Sequence, residues 1–302
     1  MKKTMRLAAL LLALLLLCAC GDTTATDDGE EVLTVPTAEG MTALTLYDGA
    51  VTLRLVRGEE EQWQWGDQPD FPLDQTAVAA ILALPETIVA SDAVTDSDDL
   101  SIFGLSDPQK YITATVGGED STCYIGTQAT DGRWYALLPD GTVRLVPEEV
   151  GTLLSSGIYS LAVLPEVPVL TAENIKAVTI LNSEEETVTI VTDESGKRMS
   201  RGRDVTAQTA TLTAELTALA ITGCVDYEPA SGAAAVCGLD VPAATVAILY
   251  TTDVGQEDTF TITVGSDTGD GGYYVTVGDD DTIYRVEETC LAAVLAVAAE
   301  GL

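Results

Sequence analysis

The cysteine at position 20 is the first residue of the chain whose neighbours predict a specific chemistry. It ends the segment Leu17-Cys18-Ala19-Cys20, which resembles the bacterial lipobox Leu-x-Ala-Cys, in which the cysteine is lipidated after export. A basic head and an apolar run over residues 7–17 precede it, and the run is too short to span a bilayer as a helix. We therefore expect residues 1–19 to be a signal peptide and Cys20 to be the lipidated N-terminus of the mature chain.

A plain signal-peptidase cleavage site is the alternative interpretation, because Cys18-Ala19-Cys20 also supplies small residues. The polar run that begins at once with Gly21-Asp22-Thr23-Thr24 favours the lipobox. Two or three acyl chains on one residue anchor a protein durably, whereas a single chain gives only marginal binding. The expected location is the extracytoplasmic face of the cell membrane, with the lipid on Cys20 as the membrane contact.

Four further cysteines are able to form up to two disulfides in an extracytoplasmic protein. They are Cys123, Cys224, Cys237 and Cys290. Cys224 and Cys237 are the expected pair, because the segment between them is short, and such a bridge would contribute about 3 kcal/mol. The alternative role for these cysteines is that of small buried apolar side chains. No C-x-x-C pair occurs, so neither structural zinc nor thioredoxin-like redox chemistry is expected.

Histidine is absent from the chain, which removes the commonest catalytic base and metal ligand. Catalysis by Ser-His-Asp or Cys-His groups is therefore excluded, as is His-ligated zinc. Lysine is scarce too: only Lys110, Lys176 and Lys197 follow the signal, and none belongs to a Ser-x-x-Lys motif. No pair of carboxylates stands out among 48 acidic residues, so a carboxylate-dependent hydrolase is a remote alternative. We expect no enzyme activity, no cofactor and no metal.

The chain is strongly acidic, with 14 basic residues against 48 acidic ones and a formal charge of −34. Residues 1–19 hold three of the basic residues and no acidic one, so their removal leaves 11 against 48, a formal charge of −37. Such a charge repels nucleic acid and anionic lipid headgroups, and nucleic-acid binding is excluded on this ground. Apolar residues still make up 46% of the chain, too many for a disordered acidic polymer.

Residues 41–302 divide into two similar units, 41–165 and 170–302, joined to the membrane by a flexible tether over residues 20–40. Four short landmarks occur in the same order in both units, with offsets of 134, 139, 139 and 140 residues. The landmarks are Phe103–Pro108 with Cys237–Pro242, Tyr124–Gly126 with Thr263–Gly265, Trp134-Tyr135 with Tyr273-Tyr274, and Thr142–Val146 with Thr282–Val286. This order predicts a tandem duplication.

Each unit is predicted to be α+β, with mostly antiparallel strands, one central helix and a short C-terminal helix. Alternating apolar and polar residues predict the strands, and pairs such as Asp140-Gly141 predict hairpin turns. Asp74 is expected to cap the central helix of the first unit and Pro85 to end it. The helices of the second unit are expected around Leu212–Leu219 and Leu291–Ala298, and the last is too short to cross a membrane.

A Gly-Leu-x-x-Pro turn before a strand occurs in both units, followed by an Ile/Val-Gly pair, two aromatic residues and a short valine-rich strand. The turn residues are Gly104, Leu105 and Pro108 in the first unit and Gly238, Leu239 and Pro242 in the second. This arrangement, over most of residues 41–302, resembles the domain of unknown function 4340 (DUF4340), which occurs in bacterial extracytoplasmic proteins that are often lipoproteins. We expect the turn residues to be structural, with glycines at positive φ, leucines in the core and prolines that stiffen the turn.

The resemblance includes Trp63, because the family tends to carry a tryptophan in the strand before the first helix. Trp63 and Trp65 are two residues apart and so share one face of a strand. A pair of this kind usually packs in the core, and the alternative is an exposed pair that would be a binding face for a glycan or a protein. The second unit departs from the pattern, since Cys237 replaces Phe103 and no tryptophan follows its opening strands.

The sequence therefore predicts a lipid-anchored, non-catalytic protein whose paired α+β domains bind or scaffold something outside the membrane. Some DUF4340 relatives are encoded beside ABC transporter components of the gliding-associated type, which implies an accessory role beside membrane transporter subunits. An extracellular glycan- or peptide-binding module is the alternative.

Overall fold

A computed structural model of the chain describes residues 32–33, 40–59, 61–87, 89–91, 93–94 and 99–302. The predicted signal peptide, Cys20 and most of the predicted tether lie outside these residues. Within the tether, residues 32–33 and residue 40 are described, and Val32–Leu33 forms strand β1, which pairs antiparallel with strand β5, Val89–Ala90. None of the helices in the described ranges is long and apolar enough to cross a membrane.

The first half of the molecule, residues 41–165, is built on a seven-stranded sheet in which all neighbouring strands are antiparallel. Its strands are β2 (Met41–Tyr47), β3 (Thr52–Arg57), β4 (Trp63–Trp65), β6 (Lys110–Val116), β7 (Glu119–Gln128), β8 (Trp134–Leu137) and β9 (Val143–Val146). Their order across the sheet is β4-β3-β2-β6-β7-β8-β9. After β5 the chain runs beside β9, where the Ser91 N–H donates to the carbonyl of Leu145 at 2.9 Å.

The second half, residues 170–302, is built on a nine-stranded antiparallel sheet. Its strands are β10 (Ile175–Asn182), β11 (Thr187–Thr192), β12 (Arg198–Ser200), β13 (Arg203–Asp204), β14 (Ile221–Asp226), β15 (Ala244–Thr251), β16 (Glu257–Asp267), β17 (Gly272–Val277) and β18 (Ile283–Glu287). The sheet order is β13-β12-β11-β10-β15-β16-β17-β18-β14. Its middle seven strands therefore repeat the order of the first sheet. The α+β prediction is confirmed, and the shared order is what a duplication predicts.

Helices lie at corresponding positions of the two halves. The α-helices are α1 (Gln75–Thr87), α2 (Glu149–Leu154), α3 (Ala210–Thr217), α4 (Ala233–Val236) and α5 (Ala292–Glu300). The 3₁₀ helix Leu100–Phe103 of the first half matches the short helix α4 of the second. The Asp74 carboxylate caps α1, since it accepts from the Thr76 N–H at 2.8 Å. The prediction that Pro85 ends this helix is wrong, because α1 continues to Thr87. Proline lacks only its own N–H, so the next residues keep donors for the preceding turn.

Each half packs its own core between one face of its sheet and its helices. In the first half, Leu44, Leu46 and Ile112 of the strands form one buried cluster with Val78 of α1 and Leu153 of α2. Because side chains alternate along a strand, the intervening residues point to the opposite side of the sheet, which we call the outer face. The corresponding core of the second half contains Val178, Ile180, Leu212, Leu216, Val246, Ile262, Val264 and Val294.

Aromatic side chains join the two halves around Phe71, which is 3% exposed. The ring of Phe71 meets Tyr227 of the second half edge-on at 5.1 Å between centroids, and Tyr159 of the first half at 5.9 Å. The hydroxyl of Tyr159 also donates to the Asp226 carboxylate at 3.3 Å. Burial is the largest of the causes that raise the pKa of Tyr159. The Gln68 side-chain amide donates to the Glu228 carboxylate at 2.7 Å as well. The halves therefore meet through apolar packing with polar contacts beside it.

Candidate functional site

The Gly-Leu turn of the first half locks a loop onto strand β7. Gly104 lies at φ 68°, the left-handed region that favours glycine. A Cβ added at Gly126 would collide with the Phe103 carbonyl oxygen and would lie 3.0 Å from the Leu105 Cγ. The Thr127 hydroxyl donates to the same carbonyl at 3.2 Å. Two glycines are therefore required here, one by its dihedral angle and one by close approach.

The second half repeats this lock on strand β16. Gly238 lies at φ 70°, and a Cβ at Gly265 would collide with the Cys237 carbonyl oxygen and lie 3.0 Å from the Leu239 Cγ. The Ser266 N–H donates to the Cys237 carbonyl at 2.8 Å. We call the two arrangements the glycine locks. Their geometry fits the structural role expected for the motif.

The glycine locks lie on the outer faces rather than in the main cores. Leu105 is 2% exposed and Phe103 is 6% exposed, yet neither belongs to the core cluster of the first half. The Phe103 ring packs against Tyr135 at 4.8 Å instead. The leucine of the motif thus fills a small second cluster, which differs from the expected position in the core. Pro108 and Pro242 are half-buried just before the following strands.

Trp63 and Trp65 share a face, as their spacing predicts, but this face is turned toward the core. Trp65 lies opposite the fully buried Leu55 in the ladder, and both tryptophans pack against the core of the first half. The Gln75 side chain bonds the backbone of Trp63 twice, accepting from its N–H and donating to its carbonyl, both at 2.9 Å. The Trp65 ring also contacts Phe71 edge-on at 5.4 Å. This packing favours the core interpretation of the pair.

The four cysteines of the described residues are free, so the Cys224–Cys237 bridge is not formed in this structure. Cys123 is fully buried and Cys237 is 9% exposed, which matches the alternative of small apolar side chains. Burial raises the pKa of Cys123 to about 12. Burial, with a smaller contribution from Asp226, raises that of Cys224 to about 11. Thiols with such pKa values are poor nucleophiles at neutral pH.

Wherever a carboxylate in the described residues has a shifted pKa, the shift is downward. In seven of them the largest cause is a hydrogen bond from a nearby N–H, hydroxyl or guanidinium group. They are Asp48, Asp99, Asp131, Asp140, Asp193, Asp204 and Asp270. A general acid needs the opposite shift. Within the described ranges, no group of three or more acidic or cysteine side chains is placed to hold a metal ion.

Three tyrosines form a row across the outer face of the first sheet, and they were not among the site residues predicted from the sequence. Tyr47 lies opposite Tyr111, and Tyr111 lies opposite Tyr124. Their ring centroids are 5.2 Å and 6.3 Å apart, with interplanar angles of 41° and 68°. Tyr124 is 38% exposed, and the other two are half-buried. The row is thus a continuous aromatic strip that solvent reaches.

A row of threonines runs beside the tyrosines on the same face. Thr45 lies opposite Thr113, and Thr113 lies opposite Thr122. The hydroxyl oxygens of Thr113 and Thr122 are 2.9 Å apart and share one hydrogen bond. We call the two rows together the tyrosine face. Strands β2, β3 and β6–β9 are described in full, and the charged side chains at their outward positions are Arg54 and Asp120, at the margin of this face.

A groove of about 500 Å³ lies in the second half, between the β12–β13 hairpin and α5. Val188 and Val297 line it together with the exposed Arg201 and Arg203. In the described part of the chain, the buried side-chain polar atoms without a hydrogen-bond partner are indole nitrogens, and neither lines this groove. The described lining of the groove therefore contains no buried side-chain polar atom that lacks a hydrogen-bond partner.

The family model of a domain of unknown function, DUF4340, matches residues 63–234, more than half of the chain. The chain belongs to the DUF4340 family. No curated protein and no solved structure matches it.

The DUF4340 match does not coincide with either half of the molecule. It begins in β4 and ends in α4, so it includes the first glycine-lock turn but stops before Gly238, Leu239 and Pro242. The match is thus narrower than the resemblance over residues 41–302. Tyr111 and Tyr124 lie inside it and Tyr47 lies outside. The family model therefore covers only part of the tyrosine face.

One sequence signal indicates that the three tyrosines point outward. Tyr47, Tyr111 and Tyr124 each adjoin a buried residue of the alternating pattern, so they occupy outward positions. Large aromatic residues at outward positions of three adjacent strands are a stronger indication of a surface site than a tryptophan pair on one edge strand. What the sequence alone did not supply was the order in which these strands lie side by side.

Proposed function

We propose that this DUF4340 protein is a lipid-anchored, extracytoplasmic binding protein that holds a ligand or partner at the membrane surface without chemical change. The observation that carries the proposal is the tyrosine face, an aromatic surface with little charge on a strongly acidic molecule. The lipobox at Cys20 supports the location. A binding role fits this surface because the aromatic strip lies on the outer face and does not contribute to the core of its own half.

The carboxylates support binding rather than catalysis. Those with lowered pKa values stay ionised at neutral pH and accept hydrogen bonds within their own turns. Such groups are structural acceptors, and they lack the raised pKa that proton donation requires. The hydrolase alternative therefore gains no support from the described residues.

The anchoring part of the proposal is tested by Cys20→Ser, which removes the only thiol that the lipobox presents for lipidation. We expect this variant to lose metabolic acyl labelling and to leave the membrane fraction. Cys18→Ser is the matched control, because Cys18 is removed with the signal and both properties should persist. Membrane fractionation that is unchanged in Cys20→Ser would overturn the lipid-anchor proposal.

The accessory role beside a transporter is a finer proposal, which rests on the gene neighbourhoods of DUF4340 relatives. Crosslinking in intact cells, followed by purification and identification of bound proteins, tests it. Recovery of a permease or ATPase subunit with the wild-type chain, but not with Cys20→Ser, is the expected result. Recovery of no membrane protein from the wild-type chain would contradict the accessory role and leave the anchoring result unaffected.

A further inference from the structure

We infer that the tyrosine face binds an uncharged glycan chain, with Tyr47, Tyr111 and Tyr124 as the platform. This inference rests on the proposed function, since it names the ligand class of an extracytoplasmic binding protein. Sugar rings present C–H bonds on their faces and hydroxyl groups on their edges. A surface that binds them needs aromatic rings for the faces and hydrogen-bonding groups for the edges.

The aromatic row supplies the first requirement. The centroid distances of 5.2 Å and 6.3 Å place neighbouring rings about one sugar ring apart, so successive sugars can each contact a tyrosine. Neighbouring rings are tilted by 41° and 68° relative to one another, so the three rings do not form one flat surface. A single flexible chain can adapt to this surface, whereas a flat crystalline polymer cannot.

The threonine row supplies the second requirement. A hydroxyl group offers one donor and two acceptor sites. The Thr113–Thr122 bond uses one donor and one acceptor, so that pair still offers a donor and acceptors to a ligand. The tyrosine hydroxyls add further polar groups at the ends of the rings. Sugar hydroxyls, which both donate and accept, match such a mixed set.

The charge pattern selects an uncharged occupant. The chain carries a formal charge of −34, so an anionic polymer is repelled over long range. A basic partner is attracted to acidic surfaces, but the tyrosine face offers only Asp120 at its margin, and that carboxylate already accepts from the Thr115 hydroxyl at 2.7 Å. A neutral glycan is therefore the occupant that this face fits.

The second half provides an internal control for this inference. When the two sheets are aligned on Gly126 and Gly265, the row Tyr47–Tyr111–Tyr124 corresponds to Leu181–Thr245–Thr263. The same strands in the same order thus do not require tyrosines at these positions. The aromatic row is a property of the first half alone, which is typical of a binding surface rather than of the fold.

The test measures binding of soluble hexasaccharides of glucose and N-acetylglucosamine to the full chain, purified from membranes in detergent. Calorimetry is compared between the wild-type chain and the variants Tyr111→Thr and Tyr124→Thr. We expect at least one neutral hexasaccharide to bind, with affinity reduced at least about tenfold in either variant. Tyr274→Thr, at an outward position of the second sheet, is the matched control and should bind as the wild type does.

Three results would overturn the inference. They are binding of none of the neutral hexasaccharides, equal binding by Tyr111→Thr and wild type, and preference for a polygalacturonate hexasaccharide over the neutral ones. Recovery of one protein partner that Tyr111→Thr fails to bind, without glycan binding, would reassign the face to protein docking. If a variant unfolds, tyrosine nitration of the wild-type chain replaces the comparison. The bound hexasaccharide should protect Tyr124 from nitration, and absence of protection overturns the inference. None of these results affects acylation at Cys20, so the two proposals can fail separately.

Discussion

The first half and the second half of the molecule use the same framework for different outer faces. Both contain seven strands in the same order. In both, a turn with a glycine at positive φ packs closely against a glycine of a strand. They differ at the outward row, which is aromatic in the first half and formed by leucine and threonine in the second. Backbone sterics and core packing constrain the framework, whereas outward side chains are free to vary. The difference therefore points to the surface that serves function.

The edges of the two sheets differ in the same sense. The first half closes its edge with Trp63 and Trp65, and the second half places Arg198 and Ser200 at the corresponding positions. Arg198 is 6% exposed, and its guanidinium donates to the Ala172 carbonyl at 2.8 Å. Burial, the largest cause, lowers the pKa of Arg198. Two chemically different side chains thus fill one structural position.

The largest effect is expected at the glycine locks, where the halves are alike. Gly126→Ala and Gly265→Ala should each lower the free energy of unfolding by at least about 4 kcal/mol, because the added Cβ collides with a backbone carbonyl that a side-chain rotation cannot relieve. Chemical denaturation monitored by circular dichroism measures this. Gly157→Ala and Gly223→Ala are the matched controls, since a Cβ there meets nothing within 4 Å.

Equal losses at both glycines would support a shared framework. A loss of stability in Gly126→Ala without a loss in Gly265→Ala would contradict it, because in both variants the added Cβ collides with the corresponding backbone carbonyl oxygen. Loss of stability in the Gly157→Ala control would show that alanine is harmful for reasons other than close approach.

The next effect is expected at the junction, where the halves are joined. Phe71→Ala removes a ring that is 3% exposed and contacts both halves, so we expect a loss of about 3 kcal/mol. We expect one thermal transition in the wild type and two in the variant, because each half has its own core. Differential scanning calorimetry measures this, with Val51→Ala, at a 62% exposed position, as the control. One unsplit transition at the wild-type temperature would show that the halves do not depend on this contact.

Local sequence signals sufficed for elements whose residues are close in the chain. The Asp74 cap, the turn at Asp140-Gly141 and the strand alternation all depend on interactions within a few residues. The end of α1 at Pro85 was predicted wrongly, and for Trp65 the sequence favoured the core without excluding a binding face. Both depend on tertiary packing, since the same local pattern is compatible with either outcome.

The candidate site was harder to predict than the fold. Cys20 was identified from a contiguous motif, but the tyrosine face is assembled from β2, β6 and β7, which are far apart in sequence. Tyr47 and Tyr111 become neighbours only through strand pairing over 64 residues. Sequence alternation indicates on which side of its strand each tyrosine lies. Only the strand order shows that the three tyrosines are neighbours on one face of the sheet.

A smaller difference between the halves is expected to depend on pH. Burial alone would raise the pKa of Asp280, but hydrogen bonds from Thr282 and the Tyr284 hydroxyl outweigh it and hold the pKa below its ordinary 3.8. The first half has Asp140 at this position, which accepts from Thr142. Asp280→Asn should therefore cost about 1 kcal/mol at neutral pH, and Asp140→Asn less.

The sign of this pH dependence follows from the lowered pKa. The ionised Asp280 stabilises the folded chain fully above its unfolded pKa, and that stabilisation is lost as the pH falls through the folded pKa. Denaturation of wild type and Asp280→Asn between pH 7 and pH 2 should therefore give curves that converge in acid. A difference that stays constant with pH would mean that the carboxylate charge is not the cause.

The smallest effect on stability is expected at the tyrosine face, where the halves differ most. Tyr111→Thr gives the first sheet the residue found at the equivalent position of the second, and we expect a loss of only about 0.5 kcal/mol from cross-strand pairing. Chemical denaturation of this variant beside Thr245→Tyr, the reciprocal change, measures it. If both exchanges leave the stability almost unchanged, the tyrosines are not needed for folding, and ligand binding is the property that they serve. A loss above about 2 kcal/mol in Tyr111→Thr would instead make the row structural, and the glycan inference would lose its premise.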